Sequence, residues 1–366
     1  MKRSNSTMEC ATTKLPKLVA GAAMTLAAAF GVAGAGCAEA EPGPFKESRT
    51  FAGNIEVSAH DLNEGYQSYR HYCQPCHGEK GDGKGQSGFG LKPPPRDFTK
   101  GVFKFARLRS SDELPHDEDL FRIVRGGLHG TAMLPWDVPD AELDRIVQYI
   151  KTFAPQKWEK RKKNGDIVKT LEPFETPKDP WEGKGDEAIA RGKELYHLRA
   201  ECLNCHPAYD TKEALYKLSV EAATRDPKNF KALGGFREDM YGSVAKDAPE
   251  YQQKILPPDF TMHPVRSICQ LGTPRCPTAN AESTRTQLED LFRLLSFGVY
   301  PVMPAWKGAG LSDEEIWALA HYVKSLVDLR GTPAALDMKR RFESQPAFTI
   351  PAAEKKEGAG ADAETK

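Results

Sequence analysis

The sequence predicts an all-α fold made of two tandem domains joined by a polar linker. Glycine and proline are plentiful, with 31 and 27 of the 366 residues, and long alternating β-branched runs are scarce, which favours short helices joined by ordered loops. The same features occur twice in the same order, and each copy closes with apolar residues at helical spacing. We expect one domain over residues 61–155, a linker over 156–185 and a second domain over 186–330.

Residues 1–36 have the pattern of an export signal, because basic residues precede an apolar stretch over residues 18–35. Small residues before Cys37 resemble a bacterial lipoprotein cleavage site, although glycine stands where leucine is usual. Cleavage after Ala40 would instead give a soluble periplasmic protein, and an uncleaved segment would be an anchor. We expect a periplasmic protein held at the membrane by a lipid on Cys37, with residues 37–60 as a tether.

The two copies share a Cys-x-x-Cys-His motif, at residues 73–77 and 202–206. In each copy the motif is followed by a Pro-rich turn that ends in Asp-Phe-Thr, then by a short helix, and then by a loop that contains Met, Pro and Trp. The apolar spacing of the closing helix, which starts from Leu143 in the first copy, recurs from Ile316, 173 residues later. This agreement indicates a duplicated domain.

Capping residues mark the starts of both closing helices. Asp140 is the expected N-cap of the first, and Ser312 with Glu315 is expected to form a capping box at the second. Cys269 and Cys276 are expected to form a disulfide, because an exported protein matures in an oxidising compartment.

The Cys-x-x-Cys-His motifs predict two covalently bound haem c groups. The cysteines place two sulfurs on one side of a helical turn, where each can bond a porphyrin vinyl group, and the next histidine can give a nitrogen to iron. A zinc site built from all four cysteines would leave the histidines without a role, and a redox dithiol would need a βαβ context. The predicted attachment residues are Cys73, Cys76, Cys202 and Cys205, with His77 and His206 as iron ligands.

The sequence resembles the class I cytochrome c domain family over both copies. Besides the motifs, members have a glycine and an aromatic residue before the cysteines and an aromatic residue on the last helix; the matching residues are Gly65, Tyr69 and Tyr149 in the first copy and Gly192, Tyr196 and Tyr322 in the second. The resemblance implies small all-α domains whose first and last helices cross beside the haem. Cys202 follows Gly192 by ten residues, whereas the corresponding interval in the first copy is eight, so this turn should differ locally.

The resemblance also implies methionine as the second iron ligand, which tends to raise the reduction potential. Met133 and Met303 each lie beside proline before the closing helix, although core packing is the alternative role of a methionine. A histidine ligand would lower the potential. The competing ligands are His116 and His129 in the first domain and Met262 and His263 in the second.

Other residues near the motifs have two possible roles. Arg96, Arg122 and Arg293 suit haem propionates but equally suit the solvated surface. Trp136 and Trp306 suit the haem edge or plain core packing.

The second copy carries an insertion at about residues 207–257, which includes a charged helix near 211–223. This insertion is either a docking surface or a cover over one haem edge. The tail over residues 331–366 is expected to be largely disordered.

These features predict an electron carrier and not an enzyme, because six-coordinate iron leaves no position for a substrate. The expected partners are a quinol-oxidising complex or dehydrogenase as donor and a terminal oxidase or reductase as acceptor. The zero formal net charge gives no indication of nucleic acid binding. The alternatives are a dihaem peroxidase, with one open haem, and a non-catalytic haem subunit of a membrane respiratory complex.

Overall fold

The computed structural model describes residues 43–351. The predicted export signal, Cys37 and residues 352–366 lie outside the described residues. The helices are α1 (Ala59–Tyr72), α2 (Gln74–His77), α3 (Asp117–Gly126), α4 (Asp140–Lys151), α5 (Pro155–Trp158), α6 (Gly185–Glu194), α7 (Lys212–Arg225), α8 (Ala281–Phe297), α9 (Asp313–Asp328) and α10 (Pro333–Glu343). Two antiparallel pairs of strands complete the fold, β1 (Arg49–Phe51) with β2 (Ile55–Val57) and β3 (Lys246–Ala248) with β4 (Gln253–Ile255).

Two helical domains with separate apolar cores follow one another along the chain. In the first, α1 crosses α4, and in the second, α6 crosses α9. The rings of Tyr69 and Tyr149 lie 5.1 Å apart at the first crossing, and those of Tyr196 and Tyr322 lie 5.4 Å apart at the second. The predicted all-α fold with crossing first and last helices is confirmed.

A glycine permits the close approach of the helices at each crossing. A Cβ atom on Gly65 would overlap the backbone carbonyl oxygen of Arg145, and one on Gly192 would overlap that of Ala318. Since backbone atoms cannot rotate away as a side chain can, any larger residue must push the two helices apart.

Replacing Gly65 with alanine is therefore expected to destabilise the protein by about 1–3 kcal/mol, the usual cost of overpacking. Gly234→Ala is the matched control, because a Cβ atom there meets nothing within 4 Å. Urea unfolding of both variants measures the difference, and equal stability of Gly65→Ala and the wild type would contradict the close packing described here.

The capping predictions have different outcomes. Ser312 and Glu315 form the predicted capping box at α9. At α4 the prediction was wrong, because Pro139 is the N-cap and Asp140 is the first helical residue. The carboxylate of Asp140 instead pairs with Arg125 at the end of α3.

The two extra residues before Cys202 change the backbone locally, as predicted. After α6 the chain continues as a π-helical turn over Leu195–Arg199, and Glu201 then takes a left-handed conformation with φ of 47°. A π turn holds more residues in the same helical length than an α turn does, so it absorbs part of the insertion. The motif of the second domain then starts in a 3₁₀ turn, Cys202–Asn204.

The insertion of the second domain packs partly on the first. Its charged helix is α7, capped by Thr211. The insertion then forms the β3–β4 hairpin, whose buried Ala248 and Tyr251 belong to the apolar core of the first domain. The predicted Cys269–Cys276 disulfide is present in the loop that follows.

The equivalent helices α3 and α8 face each other and exchange ion pairs. Arg122 in α3 donates to Asp290 in α8. Arg293 in α8 donates in turn to Asp119 in α3. Asp119 and Asp290 hold equivalent positions in the two copies, so the two domains meet through a reciprocal contact of the kind seen in symmetric dimers.

Each of these aspartates also pairs within its own domain. Arg107 donates to both carboxylate oxygens of Asp119, at distances of 2.8–3.0 Å. Arg275, in the disulfide loop, donates to Asp290 at 2.9 Å. The aspartate side chains are 0% and 1% exposed, so the domain interface holds two buried carboxylates, each between two arginines.

Segments outside the domain bounds expected from the sequence are also packed. In the expected tether, Phe51 and Val57 enter the core of the first domain, and in the expected linker Trp158 does the same. Part of the expected disordered tail is the helix α10, whose buried Phe342 stacks on Tyr241 at 4.8 Å. These segments pack against the domains because each contains apolar side chains that become buried there.

Within residues 43–351, no helix has both the length and the apolar character needed to cross a lipid bilayer.

Candidate functional site

An apolar cavity in the first domain collects all four residues predicted to form its site. Cys73, Cys76, His77 and Met133 line this cavity. Its space, including the open mouth, amounts to about 1440 Å³. Apolar side chains from α3, α4 and the Pro-rich turn make up most of the wall, among them Leu120, Ile123, Val124, Ile146, Val147, Ile150, Pro94 and Pro95.

The imidazole of His77 is fixed in orientation. Its Nδ1 lies 3.0 Å from the backbone oxygen of Arg96, which can only accept a hydrogen bond. A neutral ring that donates from Nδ1 carries its lone pair on Nε2. The ring stacks on Phe98 with 4.4 Å between centroids, and burial lowers the pKa of His77. The site therefore presents a neutral imidazole nitrogen suited to a metal ion.

The second domain repeats this arrangement. Nδ1 of His206 lies 3.0 Å from the backbone oxygen of Pro258, and the ring stacks on Phe260 at 4.8 Å. Burial again lowers the pKa of the histidine. Pro258 occupies the position that Arg96 holds in the first copy, so the backbone contact is kept although the side chain differs.

The first cysteine of each motif has a raised pKa. Burial raises the pKa of Cys73 and of Cys202 to about 12, with a smaller contribution from the neighbouring cysteine. Reactive dithiols have lowered pKa values, so these environments are unlike those of a redox motif. Cys73 and Cys202 pack against different cores, and no cluster of three or more His, Cys, Asp or Glu side chains suited to a metal occurs within residues 43–351.

The two methionine loops share one backbone geometry. The N–H of Leu128 donates to the oxygen of Met133 at 2.8 Å, and the N–H of Val299 donates to the oxygen of Met303 at 3.0 Å. A glycine with positive φ precedes each loop, with φ of 62° at Gly127. Met133 lines the cavity of the first domain, and Met303 and Cys202 both pack against the core of the second.

The competing ligands lie in other environments. His116 caps α3, where its Nδ1 accepts from the N–H of Glu118. His129 is buried, but it is absent from the wall of the cavity that Met133 lines. Met262 is 38% exposed, and His263 is also exposed.

The remaining candidates divide between the cavity and the domain interface. Arg96 and Trp136 line the cavity. Arg122 and Arg293 instead form the ion pairs between the domains. Trp306 packs against the core of the second domain, as Met303 does.

Three long polar side chains that were not predicted from the sequence line the same cavity. Lys104 comes from the first domain, whereas Gln253 and Arg266 come from the second. No motif in the sequence signals them, because the order of residues does not indicate that Gln253 and Arg266 of the second domain lie at the cavity of the first.

The model of the family "Cytochrome C oxidase, cbb3-type, subunit III" matches the chain over residues 60–150 and 270–323. The first match contains the Cys73–His77 motif and Met133, and the second contains Met303 and begins after the second motif. These observations support a c-type cytochrome. The two matched segments lie in the two helical domains, and the all-α architecture is consistent with cytochrome c domains. Cytochromes of this kind hold haem c covalently.

Among solved structures, a chain of the Kuenenia stuttgartiensis reducing HAO-like protein complex is similar, with 26% identity over 72% of this chain and 96% of that chain and a TM-score of 0.47. No curated protein matches this chain at a significant level.

The residues of the first domain fit a haem. Two thiols, an imidazole with a free nitrogen and a thioether surround one apolar space, which is the donor set and the surroundings that covalent attachment and axial ligation require.

Proposed function

We propose that the chain is a dihaem electron-transfer protein of the periplasm. Cys73 and Cys76 would bond the first haem, with His77 and Met133 as iron ligands, and Cys202, Cys205, His206 and Met303 would hold the second in the same way. The observation that carries the proposal is the meeting of all four predicted residues of the first domain on one apolar cavity.

The haem, when bound, supplies a one-electron ferrous–ferric couple. The carbonyls of Arg96 and Pro258 hold the histidines in one tautomer, so that Nε2 is available to iron. The apolar wall excludes water, and the hydrogen-bonded loops fix Met133 and Met303. Two ligands from the protein leave no open position, which favours electron transfer between a quinol-oxidising complex or dehydrogenase and a terminal oxidase or reductase. A lipid on Cys37 would keep the protein at the membrane.

A dihaem peroxidase is the main rival, and spectroscopy separates the two. We expect both haems to be low-spin in the ferric state, to change absorbance with dithionite and to bind no cyanide. Met133→Ala should open one haem, which would then become high-spin and bind cyanide, because the thioether is its second ligand. Met262→Ala is the matched control, since this methionine is 38% exposed and should change nothing. A wild-type protein that binds cyanide at one ferric haem would support the peroxidase and contradict the proposal.

A further inference from the structure

Three cations converge on the cavity of the first domain. Arg96 and Lys104 belong to the first domain and Arg266 belongs to the second. Within residues 43–351 none of these side chains forms an ion pair with a carboxylate. Elsewhere in the protein buried arginines are paired, as at Asp119, so this unpaired group stands out.

Tyr251 of the β3–β4 hairpin brings two of these charges together. The guanidinium of Arg96 lies 4.4 Å from the centre of its ring, and the ammonium of Lys104 lies 4.6 Å from it. Burial, with smaller contributions from the charges of Arg96 and Arg266, lowers the pKa of Lys104 to about 7. Two like charges beside one buried ring are costly unless an anion lies near them.

The same tyrosine carries an unsatisfied polar atom. Tyr251 is 6% exposed, and its hydroxyl has no hydrogen-bond partner in the described part of the chain. A buried hydroxyl without a partner costs free energy, which is a second, independent indication that a polar ligand belongs in this region.

The second domain holds these residues in place against the first. The N–H of His129 donates to the backbone oxygen of Arg266 at 3.1 Å. Ala248 and Tyr251 are part of the core of the first domain, and Gln253 lines its cavity. The second domain therefore covers the first site with polar groups from the insertion and from the segment that follows it.

We propose that Arg96, Lys104 and Arg266 bind the two propionates of the haem in the first domain, so that the second domain completes the site of the first. This inference rests on the proposed function. Carboxylates of a redox partner have the same chemistry, but the cations line the same cavity as Cys73 and His77, which favours the carboxylates of the haem. The second site differs, because Pro258 stands where the first has Arg96.

A redox titration of the full-length, haem-loaded protein tests the inference. Arg266→Gln and Lys104→Gln should each leave a propionate uncompensated, which favours ferric iron and lowers the midpoint of one haem. We expect about a tenfold shift in the ferrous-to-ferric ratio, which is about 59 mV for a one-electron couple. Arg266→Lys should keep most of the wild-type potential, because the charge is retained. Lys254→Gln is the matched control. Lys254 is a cation on the β3–β4 hairpin, but its side chain is 74% exposed.

The affected transition should be the one that Met133→His also lowers, since that variant marks the haem of the first domain. An unchanged midpoint in Arg266→Gln and Lys104→Gln, with two haems still bound, would overturn the propionate site and leave the proposed function intact. An equal fall in the midpoints of both haems would also overturn the propionate site, because the substitution would then not act on the first haem alone. The two variants could instead keep their midpoints but react more weakly, and with less dependence on salt, with a redox partner. That result would show that the cations bind the partner, and it would also overturn the propionate site. A wild-type protein without covalent haem would instead refute the proposed function itself.

Discussion

Replacing Asp119 with alanine is expected to destabilise the protein by about 3–5 kcal/mol, the cost of breaking a buried ion pair. The carboxylate is 0% exposed and lies between Arg107 of its own domain and Arg293 of the other. Its removal leaves two buried guanidinium groups without a counter-charge at the domain interface. Urea unfolding followed by circular dichroism measures the loss.

Two further variants sharpen this test. Asp290→Ala should cost a similar amount, because Asp290 holds the equivalent position between Arg122 and Arg275. Asp140→Ala is the control, since that carboxylate pairs with an arginine but is 96% exposed, and exposed pairs contribute little. Equal unfolding midpoints for Asp119→Ala and Asp140→Ala would contradict the buried interface.

Replacing Cys202 and Cys205 together with serine is expected to reduce the covalent haem content from two groups to one. Serine cannot form the thioether bonds, whereas the first domain has its own core and cavity and should retain its haem. The pyridine haemochrome absorbance per polypeptide should fall by half, and one of the two redox transitions should disappear.

The disulfide cysteines provide a control matched in residue type. Cys269→Ser with Cys276→Ser removes the same number of sulfur atoms from the same domain but should leave two haems bound, because these residues pair with each other. Two covalent haems in the Cys202→Ser, Cys205→Ser variant would show that the second motif is not an attachment site.

Much of this architecture could be predicted from the sequence, because its signals are local. The 3.6-residue spacing of apolar side chains predicted α4 and α9, and Ser312 predicted the start of α9. The disulfide followed from the compartment, and a local change of the backbone before Cys202, found as a π turn, followed from the spacing. These features depend on residues close together in the chain, so they could be predicted without knowing which distant residues are in contact.

The contacts between the domains could not be predicted in the same way. Asp119 and Arg293 are 174 positions apart, and a charged residue on a helix has the same appearance in a sequence whether it is solvated or paired. The role of Arg122 in the interface was hidden for the same reason. Likewise, nothing in the order of residues indicated that Tyr251 of the insertion packs on the other domain.

The most direct test of the account is intact-mass spectrometry, with peptide mapping, of the mature protein made in a host able to assemble c-type cytochromes. If two haems are covalently bound, we expect the added mass of two haems. One should lie on the peptide containing Cys73 and Cys76, and the other on the peptide containing Cys202 and Cys205. A mature polypeptide without added porphyrin mass on these two peptides would contradict the account.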